Sequence, residues 1–274
     1  PRVLWTTRDI SSPFWHAYNV YLSADADRTV LSFRQQRNWT DAYPFEFSAI
    51  VLTSEDNGAT FTETAAVSAD NQWELCDAFS SGDQIALQYY QCSYSYGYIQ
   101  FGNLFMAISG DGGQTYHQTQ ISVPSANGAH KTLGAHDQHY APVIAGANGR
   151  IYTMFLALDE NDQRAVYFRR TLNDGMSFEA PINLTADTGI TASLLTSQFT
   201  LTAGQDEVYA LIHTSDSKLY LRKSVDGGAS FGSLIPVTNG ANELGATAWW
   251  PVIRAIPGQD SEPTTLRIAI AGVA

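Results

Sequence analysis

A handful of carboxylates and one histidine cluster are the groups in this chain whose types and spacing suit chemistry. Cleaving a glycosidic bond needs two carboxyl groups flanking it, about 5 Å or about 6.5 to 9.5 Å apart according to mechanism. Glu74 and Asp77 share one run, Asp137 opens another, and Asp41 and Glu46 bracket a polar stretch. Glu74 and Asp137 are the best placed of these. The segment HDQHY at 136–140 adds His139 and Tyr140, which suit a general base and its partner in polysaccharide lyase chemistry. His136, Asp137 and His139 also form a divalent-metal candidate, although an i, i+3 spacing suits a helix better than the start of a strand.

Those residues must be positioned by something, and the sequence says what. SEDNGATF at 54–61 returns as SGDGGQTY at 109–116, TLNDGMSF at 171–178 and SVDGGASF at 224–231. The starts are 55, 62 and 53 residues apart, a period that signals one supersecondary unit stacked repeatedly. Before each copy stands a run rich in β-branched and aromatic residues, and another extended segment follows. Each octapeptide therefore reads as a hairpin connection. Its Asp56, Asp111, Asn173 or Asp226 accepts backbone N–H groups, and its glycine supplies a positive φ. Its final aromatic, Phe61, Tyr116, Phe178 or Phe231, packs back between neighbouring sheets. On this reading the aspartates are structural.

This grammar resembles the Asp-box, or BNR, repeat of sialidases and other secreted β-propellers. The resemblance implies an all-β propeller of four-stranded antiparallel blades, in one domain spanning 1–274. RVLWTT at 2–7 reads as a third strand and TRDISSPF at 7–14 as a degenerate box. Paired with the last two strands, WWPVIRAI at 249–256 and TLRIAIAGVA at 265–274, they would complete a fifth blade and leave no exposed sheet edge. A six-bladed ring would need residues that this chain lacks. In the sialidase family an arginine opens the first inner strand in an Arg-Ile-Pro motif, and three arginines clamp the substrate carboxylate. The aligned stretch here is Tyr18-Asn19-Val20, so the clamp does not carry over.

In such a meander the boxes and the turns between first and second strands lie on one face. The long connections lie on the other, where function concentrates. These are read as loops at 34–46, 89–101 and 122–138. Around them and the first residues of the inner strands stand His16, Tyr18, Arg34, Arg37, Trp39, Trp73, Tyr94, Tyr96, Trp249 and Trp250. Flat rings with polar edges suit a pyranose, whose C–H face stacks while its hydroxyls find donors and acceptors. The expected function is glycan binding, with a glycoside hydrolase or polysaccharide lyase, and then a protein-interaction module, as alternatives. No cofactor is required, although calcium on the propeller axis is compatible with the charge.

Composition excludes other classes. The chain carries 27 acidic and 15 basic residues, a formal charge of −12, so nucleic acid and anionic membranes are repelled. No apolar run approaches the roughly 20 residues of a membrane-spanning helix. A hydrophobic content of 44% suffices for a core. A secreted, extracellular or periplasmic monomer is the expectation, with no signal peptide visible in this chain. Cys76 and Cys92, the two cysteines, fall in adjacent strands of one blade, with a displaced register.

Overall fold

The computed structural model describes residues 16–24, 28–37, 46–56, 58–68, 72–95, 98–122, 143–147, 149–159, 161, 163–171, 176–186, 188–190, 195–214, 218–238, 248–256 and 265–272. For 16–19, 34–37, 46–47, 65–68, 72–76, 91–95, 98–102, 143–144, 195–198, 248–251 and 270–272 it describes the backbone alone.

Runs of alternating and β-branched residues, ended by glycine and Asx turns, form four sheets of four antiparallel strands. The first holds β1 (His16–Ala24), β2 (Thr29–Arg37), β3 (Glu46–Ser54) and β4 (Thr62–Ser68). The second holds β5 (Gln72–Ser81), β6 (Gln84–Ser95), β7 (Tyr98–Ser109) and β8 (His117–Gln120). The third holds β9 (Val143–Ala147), β10 (Arg150–Leu158), β11 (Arg164–Arg170) and β12 (Ile182–Asn183). The fourth holds β13 (Leu195–Gly204), β14 (Glu207–Thr214), β15 (Leu219–Ser224) and β16 (Ile235–Pro236). A two-stranded sheet of β17 (Ala248–Ile256) and β18 (Thr265–Gly272) follows.

Within each sheet the strands lie in chain order, and the first strands pack in series: β1 on β5, β5 on β9, β9 on β13 and β13 on β17. This is a β-propeller with the first strands innermost. As expected, the octapeptides at 54–61, 109–116, 171–178 and 224–231 fall between the third and fourth strands of their blades. The segments 2–7 and 7–14, read as a third strand and a degenerate box, lie outside the described residues.

The middle strands are buried on both faces, so alternate residues serve different neighbours. Ile85, Leu87 and Tyr89 of β6 join Val30, Ala49 and Val51 of the first blade. Ala86 and Tyr90 of the same strand join Ile151 and Phe155 of the third. Between the third and fourth blades the core runs through Tyr152, Met154, Phe168, Val208 and Ile212. Ile253 of β17, backed by Leu266 and Ile268, packs on Tyr209, Leu211 and Leu219. Polar groups also cross the seams. Gln88 Nε2 donates to Thr153 Oγ1 at 2.6 Å, with both residues fully buried. Arg169 donates to the carbonyls of Glu179, Ile121 and Phe178, and Ile121 belongs to the preceding blade. Burial holds the Arg169 pKa below its ordinary value, and the carbonyls satisfy its donors without a carboxylate partner.

The first blade has two buried faces, but the described neighbour packing on it is β5 of the second blade. Phe33, Ile50 and Leu52, at most 5% exposed, form the other face together with Leu31 and Phe61. We propose that residues 2–7 run along β18 and help to cover that face, closing a fifth blade. Deleting residues 1–7 should then lower the melting temperature and deprotect the β18 amides in hydrogen exchange while β10 stays protected. Unchanged β18 protection would overturn this closure.

Candidate functional site

The boxes are the most completely described candidate residues, and their geometry is repeated. Ser54 Oγ donates to Asp56 Oδ1 at 2.8 Å and accepts the Gly58 N–H at 2.8 Å. Thr60 N donates to the same Oδ1 at 2.8 Å, and Thr60 Oγ1 donates to Oδ2 at 2.6 Å. Asp111 is held by Ser109 Oγ, Thr115 N and Thr115 Oγ1 at 2.7, 2.9 and 2.6 Å. Asp226 is held by Ser224 Oγ, Ser230 N and Ser230 Oγ at 2.7, 3.0 and 2.6 Å. Gly58, Gly113 and Gly228 sit at φ 85°, 92° and 81°, where a side chain would be strained. At Gly228 a Cβ would also lie 2.7 Å from the Phe168 ring.

Hydrogen bonds from Thr60, and then from Ser54, lower the Asp56 pKa to about 2. Those from Thr115 and Ser230 push Asp111 and Asp226 lower still. These carboxylates accept bonds from their own turns, which makes them anchors of the fold. Asn173, the fourth member, lies outside the described residues. The serine that begins three of the boxes is a partner the sequence reading overlooked, although its recurrence two residues before the aspartate was a visible signal.

The boxes share their face with the first hairpin turns: Gly112 N donates to Asp83 O at 2.9 Å and Gly227 N to Asp206 O at 2.7 Å. A cleft of about 350 Å³ lies between the first two boxes, with Arg28, Asp56, Thr60, Thr62 and Asp111 among its lining. Arg28 is occupied by Glu55 and Asp83, each at 3.0 Å, so it joins two blades. Among the described residues no group of three or more His, Cys, Asp or Glu is arranged to hold a metal.

At the opposite end the backbone places most of the expected glycan-binding residues together. His16 is opposite Gln36, Tyr18 opposite Arg34, and Arg37 opposite Glu46, all in the first blade. In the second, Trp73 is opposite Gln91 and Glu74 opposite Tyr90. Trp249 pairs with Ala271 in β17. Trp39, Tyr96, Asp137, His139 and Tyr140 lie outside the described residues, as does His136.

One sequence expectation changes here, and another, the displaced register of the two cysteines, holds. The tyrosine-rich segment 89–101 is strand rather than loop: β6 and β7 continue to the rungs Tyr94–Ile99 and Ser95–Tyr98, each strand 12 residues long. Alternation of Tyr94, Tyr96 and Tyr98 with serine and glycine carries the period-2 pattern of strands in the sequence. Tyr89 and Tyr90 belong to the core, at 1% and 4% exposure. Tyr89 stacks on Phe105 and donates to Gln118 Oε1 at 3.0 Å. Cys92, for its part, faces Gln72, four residues before Cys76. At about 3.3 Å per residue that offset exceeds the roughly 7 Å limit for Cα atoms in a disulfide.

A further feature was not anticipated. Four of the five inner strands break register near this end: between Tyr18 and Tyr21, Leu75 and Asp77, Leu195 and Phe199, and Trp249 and Pro251. Cys76 and Trp250 are the extra residues of the second and last of these. Pro251 lacks a ladder donor and was the one sequence mark of a bulge.

No protein-family profile matches the chain, and no curated protein matches it in sequence. Solved structures do match in fold. The K499G mutant of NanB sialidase from Streptococcus pneumoniae aligns over 92% of this chain with a TM-score of 0.54 and 8% identity. Trypanosoma rangeli sialidase aligns over 92% with a TM-score of 0.51 and 9% identity. The chain spans 56% of the former and 43% of the latter. At such identities the likeness defines the fold: a sialidase-like β-propeller. No described helix is long and apolar enough to cross a membrane.

Two outcomes follow for the boxes. Ser224→Ala should strand the Gly228 N–H, which is buried, and cost about 1 to 3 kcal/mol in chemical denaturation. Because the box aspartates have depressed pKa values, their stabilisation is full above the ordinary carboxylate pKa of 3.8 and is lost as pH falls through about 2. The melting temperature should therefore drop below about pH 4. The triple variant D56N/D111N/D226N should show a shallower drop.

Proposed function

We propose that this chain recognises a neutral or mildly basic glycan across the end where the inner strands begin. The observation that carries the reading is the recurrence of register breaks in four inner strands at that one end, since bulges re-aim side chains and gather beside binding and active sites. One of them makes Trp250 its extra residue, beside Trp249. The same end holds Tyr18, Arg34, Trp73 and the Tyr94 hairpin, and ring stacking with polar edges is what a pyranose asks for. The net charge of −12 favours a ligand that is not strongly anionic. The reading requires no cofactor and takes the protein as a secreted monomer.

A hydrolytic reading is favoured by one position. Glu74 stands on the last rung but one before the β5 break, where a carboxylate would be re-aimed with its neighbours. In that reading Asp137 supplies the second carboxyl, and His139 with Tyr140 would serve the lyase variant. Sialidases on the same fold process glycans, which fits either reading.

Isothermal titration against a panel of neutral oligosaccharides, with reducing-end assays in parallel, separates the two. Trp250→Ala should weaken binding by about 1 to 3 kcal/mol, as expected for a stacking anchor. Glu74→Gln should keep affinity in a binding module and abolish turnover, by orders of magnitude, in a hydrolase. A wild-type protein that neither binds nor cleaves any of the panel would overturn the carbohydrate reading.

A further inference from the structure

The repeat lets the seams between blades be compared position by position. The residues just before and just after the box are Thr53 and Thr62 in the first blade, and Arg170 and Glu179 in the third. Both pairs bridge the outer two strands: Thr53 is the register partner of Thr62, and Glu179 N donates to Arg170 O at 3.0 Å. In the third blade the pair fills the seam. Arg170 Nη2 donates to Glu179 Oε1 at 2.8 Å, while its Nη1 crosses to the next box and donates to Asp226 O at 3.2 Å and Gly227 O at 2.8 Å. The Arg170 side chain is 12% exposed. A guanidinium group therefore closes the space between the third and fourth blades.

The seam between the first and second blades keeps the same frame and lacks that group. Gly112 N donates to Asp83 O as Gly227 N does to Asp206 O, and Arg28 lies against Gly112 as Arg150 lies against Gly227. The carbonyls of Asp111 and Gly112 correspond to those of Asp226 and Gly227, yet among the described residues no side chain donates to them. With threonines in place of Arg170 and Glu179, the cleft of about 350 Å³ remains there. Glu55, Thr60, Thr62 and Gln114 on its wall are exposed, so it opens to solvent. Its charge is less balanced as well. Arg28 alone stands among the carboxylates of Glu55, Asp56, Asp83 and Asp111, whereas Arg150 and Arg170 together stand among Asp206, Glu179 and Asp226. We propose that this cleft is a guanidinium site that takes an arginine side chain of a partner polypeptide. The Asp111 and Gly112 carbonyls accept from the planar fork, and the surrounding carboxylates supply the opposite charge. An arginine within a peptide suits the cleft better than free arginine, whose own carboxylate the acidic wall repels. The site lies at the box end, opposite the proposed glycan surface, and does not depend on the glycan reading.

Titration of the whole protein with N-acetyl-arginine methylamide, read by calorimetry and by the NMR shifts of the Gly112 and Gln114 amides, tests the assignment. The arginine probe should bind and move both amides. Its citrulline counterpart, similar in shape but neutral, should bind about tenfold more weakly or not at all, and free arginine should also bind more weakly. T53R/T62E, which installs the pair found in the third blade, should abolish binding and raise the melting temperature. Glu55→Gln, a change at an exposed side chain, should weaken binding and decides the matter if the double variant does not fold. Both variants should treat neutral glycans as wild type does, whereas Trp250→Ala should leave binding of the arginine probe intact. The proposal is overturned by an arginine probe that does not bind, by citrulline or free arginine binding as tightly, by shifts confined to other seams, or by binding that survives in folded T53R/T62E or is unchanged in Glu55→Gln.

Discussion

A serine hydroxyl shared between an aspartate and a glycine N–H is the interaction on which the rest of this structure depends. In three boxes it fixes the same turn, with the glycine at positive φ and the carboxylate bound on both oxygens. The turn then delivers an aromatic ring at a fixed place. Tyr116 enters the cluster between the first two blades, Phe178 that between the second and third, and Phe231 that between the third and fourth. Phe231 meets Phe168 edge-on at 4.8 Å. A few local hydrogen bonds thereby set a long-range contact, joining turn chemistry to the packing between blades.

Much of this architecture was legible in the amino-acid sequence because the turns announce themselves. Strands such as RIYTMFLAL appear where the alternation and β-branched content placed them, and the box period set the number of full sheets. The tyrosine hairpin was harder to see. Serine and glycine between the rings resemble loop composition, yet cross-strand pairing from Cys92–Phe101 to Ser95–Tyr98 makes the segment part of the sheet.

The candidate site was legible in kind and obscure in arrangement. Residue types led to the expectation of an aromatic and polar surface at one end, and the register puts the backbone positions of His16, Tyr18, Trp73, Glu74 and Trp249 near the starts of their inner strands. A bulge has no compositional signature beyond an occasional proline such as Pro251, because it is a matter of one strand having a residue more than its partner.

The box aromatics have a direction, and it bears on how such a ring changes over time. Each described ring between blades belongs to the later blade and is housed by the earlier one. A blade is therefore a unit with its own plug and its own socket. Duplicating a unit of this kind inserts a plug and a socket together, so the neighbours on both sides still meet the surfaces they were built for. Gene duplication can then alter the number of blades without redesigning any interface, leaving ring closure as the one joint that must adapt.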